Sequence, residues 1–222
     1  MYEEETLSEQ VYQRLTNEIK KGTWEIGKHL NEKRIAESLH VSRTPVRWAL
    51  KRIYDAGLLD YDKNHGYRIK LITPRDVREI YAIRNALDVL AFTEAAKAMS
   101  EEEYEAIRDL VRRSREAVES DNLDDLMNLS SEFNRAVYTA AKMPRLLMFQ
   151  MDLQSVLWSF RAISFEAKLS RRKLAVEEHE QLLEAMHKKE LDRLPVLLQE
   201  HLNRSESYIL QVLEEERGWT EE

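Results

Sequence analysis

The glycines of this 222-residue chain stand at 22, 27, 57, 66 and 218, and nowhere else. Glycine lacks the Cβ that clashes when a backbone turns left-handed. Tight turns of that kind are therefore expected in the first 70 residues, and the stretch beyond reads as long helices with short connections. Charge divides at the same place. Residues 1–70 hold 13 Lys and Arg against 11 Asp and Glu, a net of +2, so the remainder of a chain of charge −7 carries −9. Residues 28–70 alone hold 10 basic and 5 acidic residues. An acidic whole argues against a general polyanion binder, but a local basic patch can still meet phosphate.

Composition removes several classes. Hydrophobic residues make up 43% of the chain, enough to bury a core in one large or two small domains. The chain has no cysteine, which excludes disulfides, thiol catalysis and zinc–thiolate sites. No apolar run approaches the roughly 20 residues a membrane helix needs. The acidic start Met1-Tyr2-Glu3-Glu4-Glu5 has no apolar stretch behind it, so no signal peptide and no membrane contact are expected. A soluble cytoplasmic protein is the expectation.

Leu7, Val11, Leu15 and Ile19 mark one helix face, with Gly22 as its stop. Asn31 reads as the cap of a short second helix carrying Arg34, Ile35, Ala36 and Leu39. After a turn at His40-Val41, Ser42 caps a third helix with Arg43, Thr44, Pro45, Val46 and Arg47 in its first turns and Gly57 at its end. Two β-like runs, Leu58–Tyr61 and Tyr67–Leu71, flank a hairpin tip at 62–66. This is the order of a winged helix-turn-helix. Arg43 and Arg47, four apart, share the face that would meet base edges. Ser42, Thr44 and the helix N-terminus suit phosphate.

Residues 11–70 resemble the winged-helix domain of the GntR family of transcription regulators. The resemblance rests on Ile19, Gly22, Gly27, Leu30, Ile35-Ala36, Leu39, the string Val41-Ser42-Arg43-Thr44-Pro45-Val46-Arg47, Ala49-Leu50, Gly57-Leu58 and Gly66-Tyr67. It implies DNA contacts by Arg34, Arg43, Arg47 and the wing tip His65-Gly66. Trp48 stands where the family usually has Glu, which puts the local contacts of the third helix in question.

From Thr73 onward six amphipathic helices are expected, with breaks at 99–100, 120–122, 142–144, 168–170 and 189–192 and no strands. Thr73 and Ser100 open two of them as capping residues. An antiparallel bundle follows from such short connections. The whole chain is thus expected to be mainly α. Its domains are a winged helix-turn-helix over 1–72, a linker and helix start over 73–78, and a helical effector-binding and dimerisation domain over 79–222. Polar residues interrupt the apolar faces. His179 lies with Leu182, Leu183 and Met186. His201 lies with Leu194, Leu197, Leu198, Ser205 and Tyr208. Ser130 and Asn134 lie with Leu126, Val137 and Ala141, and Arg84 lies between Ile80 and Leu87. Buried polar groups need partners, and these could either tie helices together or surround a pocket. Arg84 could grip a carboxylate or pair with Asp88.

Residues 77–210, through Glu79-Ile80-Tyr81-Ala82-Ile83-Arg84, Leu87-Asp88, Glu178-His179 and His201-Leu202, resemble the ligand-binding (FCD) domain of the FadR-type subfamily. The resemblance implies an effector pocket at Arg84, Ser130, Asn134, His179 and His201. In the metal-binding branch an Asp, a His four residues later and two further His hold the ion. Here His179 and His201 remain as candidate ligands, while Ser130 and Asn134 stand at the other two positions. Two imidazoles without a carboxylate rarely hold zinc tightly, so no tightly bound divalent metal is expected.

The expectation is a dimeric repressor that reads double-stranded, two-fold operator DNA and responds to a small organic acid. The alternative keeps the DNA chemistry but makes the bundle purely structural. An enzyme is not expected, because no nucleophile elbow, phosphate-binding glycine loop or HExxH motif is present.

Overall fold

The computed structural model describes residues 6–20, 24, 27–55, 57–70, 72–166 and 169–217. The chain divides into two compact units, Met1–Ile72 and Thr73–Glu222.

In the first unit, helices α1 (Leu7–Lys20), α2 (Glu32–Leu39) and α3 (Arg43–Asp55) precede strands β1 (Leu59–Asp62) and β2 (Gly66–Ile69). The Asn31 side chain caps α2 by accepting from the N–H groups of Lys33 and Arg34. At the end of α2, His40 turns left-handed at φ 55°, with His40 N–H bonded to the Glu37 carbonyl and Val41 N–H to that of Ala36. Helix α3 ends with the same bond pattern around Gly57, φ 79°, where Leu58 N–H reaches the Ile53 carbonyl. Leu58 is used in that cap, so β1 begins one residue later than the sequence pattern suggested. Leu71, the expected end of the second run, and Gly22 lie outside the described residues.

Val46, Ala49, Leu50 and Ile53 of α3 are buried against Val11 and Leu15 of α1 and Ile35 of α2. Leu7, expected on the same face, opens α1 one turn before Val11 and is half exposed. The strands pair antiparallel with Leu59 opposite Ile69 and Asp62 opposite Gly66. The segment before α2 joins β2: Gly27 N–H donates to the Ile69 carbonyl and Leu30 N–H to that of Tyr67.

The second unit holds six helices among the described residues: α4 (Pro74–Ala98), α5 (Glu101–Glu119), α6 (Leu123–Ala140), α7 (Pro144–Glu166), α8 (Leu169–His187) and α9 (Leu194–Arg217). Capping boxes at Thr73/Asp76 and Ser100/Glu103 start α4 and α5, and Asn122 caps α6. Helix α4 packs on α6 and α9, and α5 on α6 and α8. Phe92, Phe133, Tyr138, Leu182 and Met186 are among the fully buried side chains. Among the described residues no helix is long and apolar enough to cross a membrane.

One expectation from the glycines is corrected here. Asp121, Lys142 and Lys189 turn left-handed at φ 53°, 56° and 55°, so positive-φ turns are not confined to the first unit. Each such residue costs about 1–2 kcal/mol. Capping bonds offset the strain, from Asn122 N–H to the Ala117 carbonyl and from Glu190 N–H to that of Ala185. Asp121 and Lys142 also form ion pairs, with Arg172 and Glu103.

Candidate functional site

The candidate functional residues fall in two regions, one in each unit. In the first, α3 begins directly after Ser42, and Arg43 and Arg47 project from one face with side chains 58% and 61% exposed. Both donate to the same oxygen, Oε2 of Glu32 at the start of α2. Arg43 Nη2 lies at 3.2 Å, and Arg47 Nε and Nη2 at 3.1 and 3.0 Å. The hydrogen bond and charge of Glu32 raise the pKa of Arg47. One carboxylate thus holds two guanidiniums side by side in ion pairs exposed enough to be exchanged for other acceptors. Arg34, Ser42 and Thr44 are also exposed.

His65 sits at the hairpin tip. Asp62 Oδ1 accepts from the N–H groups of Asn64 and His65, and lies 3.1 Å from His65 Nδ1. These bonds hold the Asp62 carboxyl below its usual range. Gly66 follows at φ 78°, a conformation that side chains with a Cβ rarely adopt. Trp48 leaves the Arg43/Arg47 face. Its ring meets Tyr12 of α1 edge-on at 6.3 Å, and the Arg52 guanidinium lies 4.0 Å from the Tyr12 ring while pairing with Glu9. The unusual Trp therefore braces α1 on α3.

In the second unit, the five residues singled out by polarity on apolar faces all line one cavity. Arg84 enters from α4, Ser130 and Asn134 from α6, His179 from α8 and His201 from α9. Leu157 and Phe160 of α7 supply an apolar wall. The volume is about 30 Å³, roughly two water molecules.

Arg84 and Asp88 pair at 3.1 Å, one turn apart on α4, and the Tyr138 hydroxyl donates to the other Asp88 oxygen at 2.5 Å. Burial opposes the Arg84 charge, but Asp88 more than restores it and the pKa is raised. Arg84 thus both makes the structural ion pair and faces the cavity. The His179 ring stacks on Phe133 at 4.2 Å and lies 5.2 Å from the His201 ring. Asn134 Nδ2 donates to the Ser130 backbone carbonyl at 3.0 Å.

Arg171 of α8 was not singled out from the sequence, and Glu178 figured there only beside His179 in the family resemblance, not as a site residue. Arg171 is 7% exposed, lines the cavity, and donates from Nη2 to Ser205 Oγ at 2.5 Å. Its spacing to Ala175 and His179, four and eight residues on, placed it on the cavity face. The run Arg171-Arg172-Lys173 disguised it as a solvated helix start. Glu178 Oε2 lies 2.6 Å from His201 Nδ1 and 3.5 Å from Arg171 Nη1, while Oε1 accepts from Arg204 at 2.5 Å. Burial pushes the Glu178 carboxyl up, but these partners outweigh it and hold it low. Burial pushes the His201 imidazole down against the Glu178 hydrogen bond, and the charges of Arg84 and Arg171 push it further.

The donor set does not fit a divalent metal. Ser130 and Asn134 offer only neutral oxygens, no carboxylate lines the cavity among the described residues, and two guanidiniums share it. No cluster of three or more His, Cys, Asp or Glu suited to a metal occurs among the described residues. His179 and His201 as metal ligands are therefore not supported by the chemistry around them.

Comparison with known proteins matches both units to a family. Residues 7–69 match the bacterial regulatory proteins of the gntR family, and residues 79–204 match the FCD domain. The chain is 27% identical to the uncharacterized HTH-type transcriptional regulator YdhC of Bacillus subtilis (strain 168), over 93% of this chain and 92% of that protein. It is 24% identical to the HTH-type transcriptional repressor RspR of Escherichia coli (strain K12), over 97% and 94% of the two chains. The solved structure of E. coli McbR/YncC shares the fold with a TM-score of 0.79 at 23% identity, covering 94% of this chain and 99% of that one.

Proposed function

This chain belongs to the GntR family of bacterial transcriptional regulators and carries its FCD domain, and from that premise we propose that it is a cytoplasmic, homodimeric repressor whose hold on a two-fold operator is set by a small carboxylate-bearing metabolite in the bundle cavity. The carrying observation is the cavity itself: four helices, α4, α6, α8 and α9, turn polar side chains inward around a space that packing alone would have filled with apolar groups. Arg84 takes the anionic group of the effector, and Ser130, Asn134, His179 and His201 take its polar remainder. On the DNA side, Arg43 and Arg47 exchange Glu32 for guanine edges in the major groove, and Arg34, Ser42 and Thr44 meet phosphates. His65 and Gly66 enter the minor groove.

A cavity of about 30 Å³ is too small for a metabolite of several heavy atoms. An effector must therefore prefer a widened arrangement of the helices, and that preference is what lets it shift a population. The name of the E. coli relative supports repression. Dimerisation is supported by α7, which has four charged residues in 23 and leaves Met148, Phe149 and Met151 largely exposed.

Band shifts with genomic fragments test the reading. A short palindromic footprint that weakens steeply with salt, and that an organic acid raising the melting point also disrupts, is the expected result. DNA binding indifferent to every thermally stabilising compound would remove the effector from the account.

A further inference from the structure

Nε of Arg84 and both Nε and Nη1 of Arg171 are buried without a hydrogen-bond partner, in residues only 8% and 7% exposed that line the same cavity. A buried guanidinium N–H without an acceptor carries its full desolvation penalty, so these atoms mark where an acceptor belongs. The acids nearby are committed elsewhere. Asp88 serves Arg84 Nη2 and Tyr138, and Glu178 serves His201 and Arg204, reaching Arg171 Nη1 only at 3.5 Å. No carboxylate lines the cavity among the described residues.

His201 supplies the complementary half. A carboxylate can only accept, so the proton of this imidazole sits on Nδ1, facing Glu178. Nε2 is then a lone-pair acceptor in a ring that lines the cavity. From these placements we infer that Arg84 and Arg171 form a metal-independent anion site, and that its ligand carries a hydroxyl beside the carboxylate, donated to Nε2 of His201. The positive charge that a metal ion would bring to such a pocket is supplied here by Arg171. The inference rests on the effector reading above and names the chemistry of that effector as a small hydroxy acid.

The test uses full-length protein in EDTA and follows the melting temperature with L-lactate against propionate and L-malate against succinate, with lactamide as the neutral control. At a hundredfold excess over Kd, the matching hydroxy acid is expected to raise Tm by roughly 5 °C. Its deoxy parent should bind at least tenfold more weakly by calorimetry, and lactamide should give no shift. Arg171→Gln, which can still bond Ser205, should keep the far-UV spectrum and lose at least tenfold in acid affinity. Arg171→Lys checks the same site in case the Gln variant is unstable. The inference is overturned by equal shifts from hydroxy and deoxy acids, by a response that requires Zn, Ni or Mn and vanishes in EDTA, by an unaltered Arg171→Gln response, or by no response to the series. A different metabolite that stabilises the protein and releases DNA independently of Arg171 would sink this site while leaving ligand-controlled regulation standing. Absence of operator binding would strike the regulator reading instead.

Discussion

Arg43 and Arg84 are the same side chain in opposite surroundings. Arg43 and Arg47 are exposed guanidiniums that share the partly buried carboxylate of Glu32 at the surface, whereas Arg84 is held by Asp88 inside the bundle. Replacing Arg43 or Arg47 by Ala is expected to weaken operator binding by roughly ten- to a hundredfold and to relax base preference, read by fluorescence anisotropy on matched and mismatched sites. Lys at either position should restore little, since it cannot make the forked contact. The Glu178–His201 pair predicts a pH effect. His201 is held below its usual 6.5, so from about pH 6.5 downward the unfolded chain takes up a proton that the folded one refuses, and stability falls. Glu178 is held below 4.5, which adds a second loss as pH drops below that value. Urea midpoints between pH 8 and 4 should show both steps, and His201→Gln should remove the first. Arg43 was legible because its neighbours form a specific string. Arg171 was not, because a basic run looks alike whether water or a cavity faces it.

Helix ends were the most readable elements. Thr73, Ser100 and Asn31, each read as a cap from the sequence, accept from the backbone N–H groups that the start of a helix leaves unpaired. Thr73→Ala should cost about 1 kcal/mol in a denaturant titration, since it removes the cap of the longest helix among those described. The C-terminal turns were less readable, because a left-handed residue does not have to be glycine. Lys189 holds φ 55° with a Cβ, so Lys189→Gly should raise stability by up to about 1 kcal/mol in the same titration. Trp48 shows the opposite difficulty. Its place in the string suggested a change at the DNA face, but its contact is with Tyr12 of α1.

For the whole molecule, the exposed apolar residues of α7 bear on assembly. Phe149→Glu is expected to convert the proposed dimer to a monomer in light scattering and to weaken operator binding steeply, because a two-fold site needs both reading heads. Periodicity, caps and the Ser-Arg-Thr-Pro-Val-Arg string were enough to establish a winged helix-turn-helix followed by six helices, since each of these signals is local and repeats along the chain. They also pointed to Arg84, Ser130, Asn134, His179 and His201, because a polar residue on an apolar face is visible in one dimension. What needed three dimensions was the partnership among them: that Glu178 occupies Nδ1 of His201, that Asp88 is shared by Arg84 and Tyr138, and that Arg171 faces Ser205 rather than water. Those pairings join helices up to 50 residues apart. Burial, which turns a charged side chain from surface decoration into a binding group, is a property of the packed neighbours and not of the residue.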